Sequence, residues 1–344
     1  MARLTDNQAL PEAISSPLDG HAMVPGMAEP ASPNVLAGAI TIDNRMRKQR
    51  SLWGNAWLAF RKHRLAMIGL VIFVFMVFAT FVGSAIYPQE IDEIDFSAAT
   101  GALSWAHPMG TDSMGQDQLA RILWGGRISL SVGIFAALFS IIVGTLIGAV
   151  AGFFGGPTET LLMRITDMFI SLPQLPLLLV ISFLFKQQVY AFFEENFGSG
   201  VLGIFVLIVF VIAILNWMST TRLVHASVLS TKEKEFVEAA RCIGSTQSSQ
   251  ISKHILPNIM SPIIVAATLG VGDAIITESA LSFLGLGFPS DVPTWGSMLY
   301  EAKDRLEIAP LEAIFPGMMI FLTVLSVNFI GDGLRDALDP RKTL

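Results

Sequence analysis

The sequence predicts an all-α integral membrane protein, and two observations lead to this fold class. Hydrophobic residues make up 52% of the 344 positions and charged residues only 15%, and the mean hydropathy is +0.60. This balance is far from that of a soluble globular protein. The chain also contains apolar runs of about 20 residues, the length at which a helix crosses a hydrocarbon core of about 30 Å. We therefore expect six transmembrane helices.

Each predicted span follows from its own apolar run. The six spans are 65–87, 128–154, 160–185, 201–218, 259–283 and 313–331. Glycine recurs in the second run, which favours close helix packing. Pro173 and Pro176 lie in the third run, so a kink or a broken segment is expected there.

The segments before and between the spans have different compositions. Residues 1–44 are rich in proline and in small and polar residues, which predicts a largely disordered cytoplasmic tail. Residues 45–64 combine Trp53 and Trp57 with arginine and lysine, which indicates a basic interfacial helix. Residues 65–344 form the six-helix domain, with an outer loop at 88–127 and a cytoplasmic loop at 219–257.

The distribution of basic residues predicts the orientation of the chain. With the N-terminus inside, 15 lysines and arginines lie at the cytoplasmic face and only five in the outer loops. The five outer residues are Arg121, Arg127, Lys186, Lys303 and Arg305. Because cytoplasmic loops carry the excess of positive charge, both termini and loop 219–257 are predicted to be cytoplasmic.

The cytoplasmic loop contains a predicted amphipathic helix. Ser230 and Glu233 have the spacing of a capping box, so we expect the helix to begin near Thr231 and to end at Gly244, with a second helix starting near residue 245 or 246. The apolar positions of the helix share one stripe at Phe236, Ala239, Ala240 and Ile243. A short helix of this kind suits insertion into a groove on another protein.

The same loop carries a resemblance to a known family. Glu238-Ala239-Ala240 is followed after three residues by Gly244, and after nine more by His254-Ile255-Leu256-Pro257. This spacing resembles the ATPase-docking loop in the membrane subunits of binding-protein-dependent ABC importers. The resemblance implies a coupling role for the residues of the motif and its apolar stripe: Phe236, Glu238, Ala239, Ala240, Ile243, Gly244, Leu256 and Pro257.

The outer loop narrows the resemblance to one branch of that family. The stretch from His107 to Asp117 is similar to the H-P-x-G-T-D-x-x-G-x-D signature of peptide and nickel permeases, with Gln116 where that branch has a basic residue. The motif residues are His107, Gly110, Thr111, Asp112 and Asp117. Further similarities at 281–299 and 328–341 extend the resemblance over about 65–341, most specifically to the second permease of dipeptide and oligopeptide importers.

The resemblance implies a fold and a set of partners. The fold would be that of a type I ABC importer permease, and the chain would form half of a translocation pathway with a second, similar permease. Two P-loop ATPases would bind ATP and Mg²⁺ at the cytoplasmic face, and an external substrate-binding protein would deliver the solute. Peptide is the expected substrate, with nickel, glutathione or sugars as alternatives that relatives of this branch carry.

Charged residues within the predicted helices are candidates for function because a charge in a membrane is costly. Asp167 lies three residues after Arg164, a spacing that favours a local ion pair. Asp273 and Glu278 lie five apart in the fifth span, so they do not share a face. Either could line the pathway, bind a helix of the partner permease or form a hydrogen bond between helices.

Several classes of function find no support in the residues. The chain has no G-x-x-x-x-G-K-[ST] phosphate loop, its five histidines are dispersed, and its single cysteine, Cys242, excludes an intrachain disulfide. We expect no catalytic site, no metal, no cofactor and no nucleic-acid contact in this chain. His107, Asp112 and Asp117 are interpreted as local hydrogen-bonding groups. Two rival classes remain open: an ion-gradient-driven transporter and a non-transporting membrane subunit.

Overall fold

The computed structural model describes residues 52–339. The predictions for the tail 1–44, for the basic residues before 52 and for Arg341 and Lys342 fall outside this range. Within it the chain is helical, and its described residues form no β-strand beyond an isolated bridge between Thr111 and Asp117.

Ten helices of eight or more residues organise the described part of the chain. They are α1 (Leu52–Lys62), α2 (Arg64–Phe78), α3 (Gln118–Phe154), α4 (Gly156–Ser171), α5 (Gln174–Phe197), α6 (Gly200–Lys232), α7 (Glu235–Cys242), α8 (Met260–Phe283), α9 (Trp295–Ala302) and α10 (Leu311–Leu338). A π-helical turn, Ala79–Gly83, and a short turn, Ser84–Ile86, extend α2. Three short helical turns between Gln247 and Ile259 lead into α8.

Six helical segments of the described chain are long and apolar enough to cross a membrane. They are Arg64–Ile86, Gln118–Phe154, Gln174–Phe197, Gly200–Lys232, Gln247–Phe283 and Leu311–Leu338. The predicted number of spans is therefore confirmed, and five of the six predicted ranges fall inside or within one residue of an observed segment. The helices extend beyond the apolar runs because the polar residues at their ends continue the helical backbone.

The third predicted span, 160–185, is wrong in position. The backbone leaves the helical conformation at Leu172, where ψ is 137°, so α4 ends at Ser171 and α5 begins at Gln174. Proline disfavours the helical conformation in the residue before it, and Pro173 therefore separates the two helices, whereas Pro176 lies in the first turn of α5 where a missing N–H is tolerated. As a consequence Lys186, predicted in an outer loop, lies inside α5.

The α3 and α6 helices pack closely through glycines spaced four residues apart. A Cβ atom added at Gly144, Gly148 or Gly152 would come within 3.0 Å of backbone or side-chain atoms of α6. The Thr221 hydroxyl donates a hydrogen bond across this contact to the Gly144 carbonyl at 3.2 Å, and the Lys232 ammonium donates to the Gly152 carbonyl at 2.8 Å. Small residues thus bring the two longest helices into backbone contact, as in other membrane helix pairs.

At the other end of α3, the short helix α9 packs into the protein. Trp295 is fully buried, and its indole N–H donates to the Ile122 carbonyl at 3.1 Å. Thr294 and Ser297 form a capping box at the start of α9. The segment that follows α8 is thereby fixed against α3.

Candidate functional site

The predicted cytoplasmic helix is α7, and it begins later than the capping-box spacing predicts. Ser230 lies inside α6, where its hydroxyl donates to the Ser227 carbonyl at 2.9 Å and caps nothing. The α6 helix runs on to Lys232, and α7 starts at Glu235. The expected start near Thr231 is therefore wrong, because α6 continues unbroken through that position.

The end of α7 has the predicted geometry. Gly244 adopts a φ of 81°, its N–H donates to the Arg241 carbonyl at 3.0 Å, and the Ser245 N–H donates to the Ala240 carbonyl at 3.0 Å. These two bonds form a Schellman motif, which glycine favours because it has no Cβ. Thr246 then caps, through the Ser249 N–H, a helical turn that begins at Gln247, next to the predicted start near residue 245 or 246.

The four apolar positions of the predicted stripe do not share one environment. Ala240 is buried, and Val237 is buried in a cluster of apolar side chains from α3, α6, α8 and the turns before α8. Phe236, at 39% exposure, and Ile243, at 86%, face away from the described chain. Ala239 and Glu238 are also exposed. One face of α7 therefore packs against the rest of the chain, and another face presents apolar side chains outward.

The residues after α7 connect it to the membrane-spanning part of the chain. Leu256 packs partly buried on the same apolar cluster, and exposed Pro257 lies in the first turn of the segment Leu256–Ile259 that leads into α8. Fully buried Val237 and Ile255 join α7 to this segment. Val237 was not among the predicted site residues, although its i, i+3 spacing with Ala240 indicates that both face the same side.

The three candidate carboxylates lie in three different environments. Asp167 accepts a hydrogen bond from Arg222 of α6 at 2.6 Å, so the predicted pair with Arg164 is wrong. Glu278 is completely buried and accepts hydrogen bonds from the Ser129 hydroxyl at 3.1 Å and the Ser282 hydroxyl at 2.8 Å. The contact with Ser129 joins α3 to α8, which is the interhelix role that the sequence left open for Glu278.

Asp273 is instead exposed in the described chain and lines a cavity of mixed polar and apolar residues. The cavity has a volume of about 200 Å³ and lies between α3, α6 and α8. Asn216 and Ser219 of α6 line it and also line a second cavity of about 490 Å³ beside α5. The Gln174 amide donates to the Asn216 side-chain oxygen at 2.7 Å in that second cavity. Asn216 and Ser219 carry no sequence motif, and only the structure places them beside Asp273.

The outer-loop motif forms a local hydrogen-bond network around Asp117. This carboxylate caps α3 by accepting from the Ala120 N–H at 2.7 Å, and it also contacts His107 Nδ1 at 2.8 Å and the Tyr87 hydroxyl at 3.1 Å. Burial, with the nearby carboxylate as a further cause, raises the pKa of Tyr87 to about 12. The Tyr87 phenol therefore remains a hydrogen-bond donor at neutral pH.

The second half of the motif orders the turn before α3. Asp112 accepts hydrogen bonds from the N–H groups of Met114 and Gln116 at 2.8 and 3.0 Å. Gly110 has a φ of 78°, and the Thr111 hydroxyl accepts from the Gly101 N–H at 2.8 Å. The structure therefore supports local hydrogen bonding for this motif.

One buried arginine that the sequence analysis placed in a loop joins the motif to the rest of the outer face. Arg121 lies on α3, where it pairs with Asp112 and, at 2.9 Å, with Glu301 on α9. Its side chain is only 6% exposed. Residues 118–127 belong to α3, so the predicted loop extends too far, and Arg121 acts as a crosslink between two segments.

Comparison with known proteins identifies the family. Residues 144–344 match the binding-protein-dependent transport system inner membrane component family, and residues 51–104 match the N-terminal transmembrane domain of oligopeptide transport permease C. This chain belongs to the binding-protein-dependent permease family. It is a multi-pass inner-membrane permease subunit of an ABC importer, and the predicted family and the predicted all-α membrane fold class are confirmed.

Relatives of this permease cover most of its length. An oligopeptide transport system permease protein from Haemophilus influenzae is 36% identical over 302 residues, which are 87% of this chain and 92% of the relative. A dipeptide transport system permease protein from Alkalihalophilus pseudofirmus is 37% identical over 85% of this chain and 90% of its own length. A glutathione transport system permease protein from Pectobacterium atrosepticum is 35% identical over 86% and 94% of the two chains.

Proposed function

We propose that this permease forms, with a second similar permease, the pathway of an importer that carries peptides. The observation that carries the proposal is the 36–37% identity, over most of the chain, to oligopeptide and dipeptide permeases. Two P-loop ATPases bind at the cytoplasmic face and hold ATP and Mg²⁺, and an external binding protein delivers the peptide. The chain itself catalyses no reaction and binds no cofactor.

The exposed face of α7 is the surface proposed to contact an ATPase. Phe236 and Ile243 present apolar side chains outward, and two acidic residues, Glu235 and Glu238, lie in the first turn of the helix. Carboxylates there complement the positive end of the helix dipole and stabilise α7 before any partner binds. A preformed helix with an apolar face can enter a groove without a large ordering cost.

The opposite face of α7 provides a mechanical connection to the pathway. Val237 packs with Val228 of α6 and Ile263 of α8 in one apolar cluster. Because packed side chains of this kind transmit displacement, movement of α7 on ATP binding shifts both helices. Closure of the ATPases thus opens the pathway outward and hydrolysis returns it, in an alternating-access cycle.

The orientation of the chain follows from the same arrangement. Basic residues surround α7, with Arg222 and Lys232 on α6, Lys234 and Arg241 at the two ends of α7, and Lys253 in the turns after it. An excess of lysine and arginine marks the cytoplasmic side. We therefore place both termini and α7 in the cytoplasm, and the motif from His107 to Asp117 outside.

Purification from the native membrane in mild detergent tests the partners. We expect a second permease and P-loop ATPases to copurify, and reconstituted vesicles to take up trialanine when binding protein and ATP are supplied. Ile243→Asp should reduce the recovered ATPase, because it places a charge on the proposed contact. Ile308→Asp is the matched control, since Ile308 is similarly exposed, at 79%, in the turn before α10.

The outcome separates this proposal from the two rival classes. Uptake in ATP-depleted vesicles with a proton gradient would identify a gradient-driven transporter. Recovery of the chain alone, without ATPase activity or solute flux, would identify a non-transporting subunit. Uptake of reduced glutathione or a nickel salt in preference to trialanine would retain the importer and replace the substrate.

A further inference from the structure

The cavity beside Asp273 contains a carboxylate that has no partner among the described residues. Asp273 is the one charged side chain among the described residues that line it, and the structure gives its carboxylate no hydrogen-bond or ion-pair partner within residues 52–339. The backbone carbonyl of Asp273, not its carboxylate, accepts from Thr277. A carboxylate near the middle of a 24-residue membrane helix is costly unless water or a cation meets it.

Two serine hydroxyl groups that line the cavity offer further acceptors. The Ser140 hydroxyl donates to the Ala213 carbonyl at 3.1 Å, and the Ser219 hydroxyl donates to the Asn216 carbonyl at 3.3 Å. Each hydroxyl has one hydrogen to donate and two lone pairs to accept with. Both serines therefore have their hydrogens occupied and offer lone pairs. Asn216 and Thr220, which also line the cavity, carry donors, so it is the single negative charge of Asp273 that favours a cationic ligand.

We propose that Asp273 binds the N-terminal ammonium group of the peptide during its passage. This inference rests on the proposed function, in which peptides cross through this permease. An ammonium group carries three donors and one positive charge, which match the carboxylate and the two serine oxygens. Every unblocked peptide has this group whatever its side chains, so one carboxylate serves a pathway that accepts many sequences.

The size of the cavity favours a peptide terminus over a bare inorganic cation. The space beside Asp273 is about 200 Å³, and Asn216 and Ser219 also line the second cavity of about 490 Å³. Binding sites for small organic molecules have volumes of roughly 300–1,000 Å³, a range that the second cavity reaches and the first does not. The first residue of a peptide fits beside Asp273, and the second cavity leaves space on the other side of Asn216 for the residues that follow.

The test compares two peptides that differ only in the ammonium group. Trialanine and its des-amino analogue, propionyl-alanyl-alanine, are supplied to vesicles that contain the complete importer with its binding protein. The ratio of their uptake efficiencies is measured for the unmodified chain and for Asp273→Asn. The binding protein is the same in both preparations, so its own preference cancels when the two ratios are compared.

We expect Asp273→Asn to reduce the preference for trialanine by about tenfold or more, since a hydrogen bond to a charged group is lost. Asp273→Glu should keep the preference because it keeps the charge. Asp304→Asn, which neutralises an exposed carboxylate after α9, is the matched control and should leave the preference unchanged. Ser219→Lys places an ammonium group in the same cavity and should also reduce the preference, which keeps the test valid where Asp273→Asn does not assemble.

Three results would overturn the inference. An unchanged preference in both Asp273→Asn and Ser219→Lys would show that the carboxylate does not meet the ammonium group. Loss of the second permease on purification of Asp273→Asn, together with an unchanged preference in Ser219→Lys, would assign Asp273 to the contact between subunits. If the unmodified chain takes up another solute with ATP but no trialanine, both the proposed substrate and this inference are wrong. If it takes up trialanine and the variants leave the preference unchanged, only this inference is wrong.

Discussion

Replacement of Gly244 by valine tests the role of the C-terminal end of α7 without changing other contacts of the permease. Gly244 has a φ of 81°, and a Cβ atom added there would meet no other heavy atom within 4 Å. The substitution therefore creates no steric clash with neighbouring groups. Its whole effect comes from placing a β-branched residue in a left-handed backbone conformation, which such residues strongly disfavour.

The size of the effect follows from that conformational cost. A non-glycine residue in the left-handed region costs roughly 1–2 kcal/mol, and a change of this size alters an equilibrium by roughly 5–30-fold. The cost falls on the two bonds from Gly244 and Ser245 that close α7. We expect the last turn of α7, which carries exposed Ile243, to be unwound in most molecules.

The assay measures ATP-dependent peptide uptake and ATP hydrolysis in the same reconstituted vesicles. Gly244→Val should lower the peptide transported per ATP hydrolysed about fivefold or more, while the amount of permease in the membrane stays the same. Gly244→Asn should lower it less, because asparagine tolerates the left-handed conformation better than valine.

Gly198 provides a matched control, because valine there would introduce the same backbone strain at the end of α5. It ends α5 with a φ of 68°, a Cβ atom added there would also meet no heavy atom within 4 Å, and it lies at the opposite end of the helix bundle from α7. Gly198→Val should therefore leave the coupling ratio unchanged. Equal uptake per ATP for Gly244→Val and the unmodified chain would refute the reasoning that the capped end of α7 carries coupling.

Three further predictions concern buried polar groups. Glu278→Ala should lower thermal stability in detergent by about 1–3 kcal/mol for each serine hydroxyl that loses its acceptor, and Glu278→Gln, which keeps one carbonyl oxygen, should lower it less; equal melting temperatures would contradict the assigned bonds. Arg121→Ala should destabilise the protein by about 3–5 kcal/mol because it leaves two partly buried carboxylates unpaired, and Arg121→Lys, measured by the same thermal scan, should not restore both contacts. Tyr87 should ionise near pH 12 in ultraviolet titration, a signal absent from Tyr87→Phe. The pKa of Tyr87 in the folded protein lies above the ordinary value of 10.0. Its contribution to stability is therefore present below pH 10 and is lost as pH rises toward 12.

Hydropathy predicts the number of spans because the bilayer requires long apolar helices, but it cannot show where a helix breaks inside an apolar region. Pro173 illustrates the difference. The sequence indicates an interruption near this residue, whereas the resulting separation of α4 from α5 and the position of the third span depend on the backbone conformation of Leu172. Local chemistry also predicts Gly244 correctly, since its conformation depends on few neighbours.

The spacing of residues in the sequence does not predict which distant segments come into contact. The spacing of Ser230 and Glu233 also occurs inside a continuing helix, where the Ser230 hydroxyl donates to a preceding carbonyl and caps nothing. Asp167 finds its partner on α6, 55 residues away, in preference to Arg164 three residues before it. The cavity beside Asp273 likewise depends on three helices that no local motif brings together.

The uninterrupted α6 helix gives the permease a rigid arm. Its 33 residues extend about 50 Å at 1.5 Å per residue, whereas the hydrocarbon core is about 30 Å thick. About 20 Å of the helix must therefore extend beyond the hydrocarbon, and Lys232, at the end that leads into α7, donates to a carbonyl near the end of α3. If α6 tilts about its glycine contacts with α3, its cytoplasmic end moves further than the residues near those contacts. A displacement imposed on that end therefore produces a smaller displacement, with a larger force, at Asn216 and Ser219.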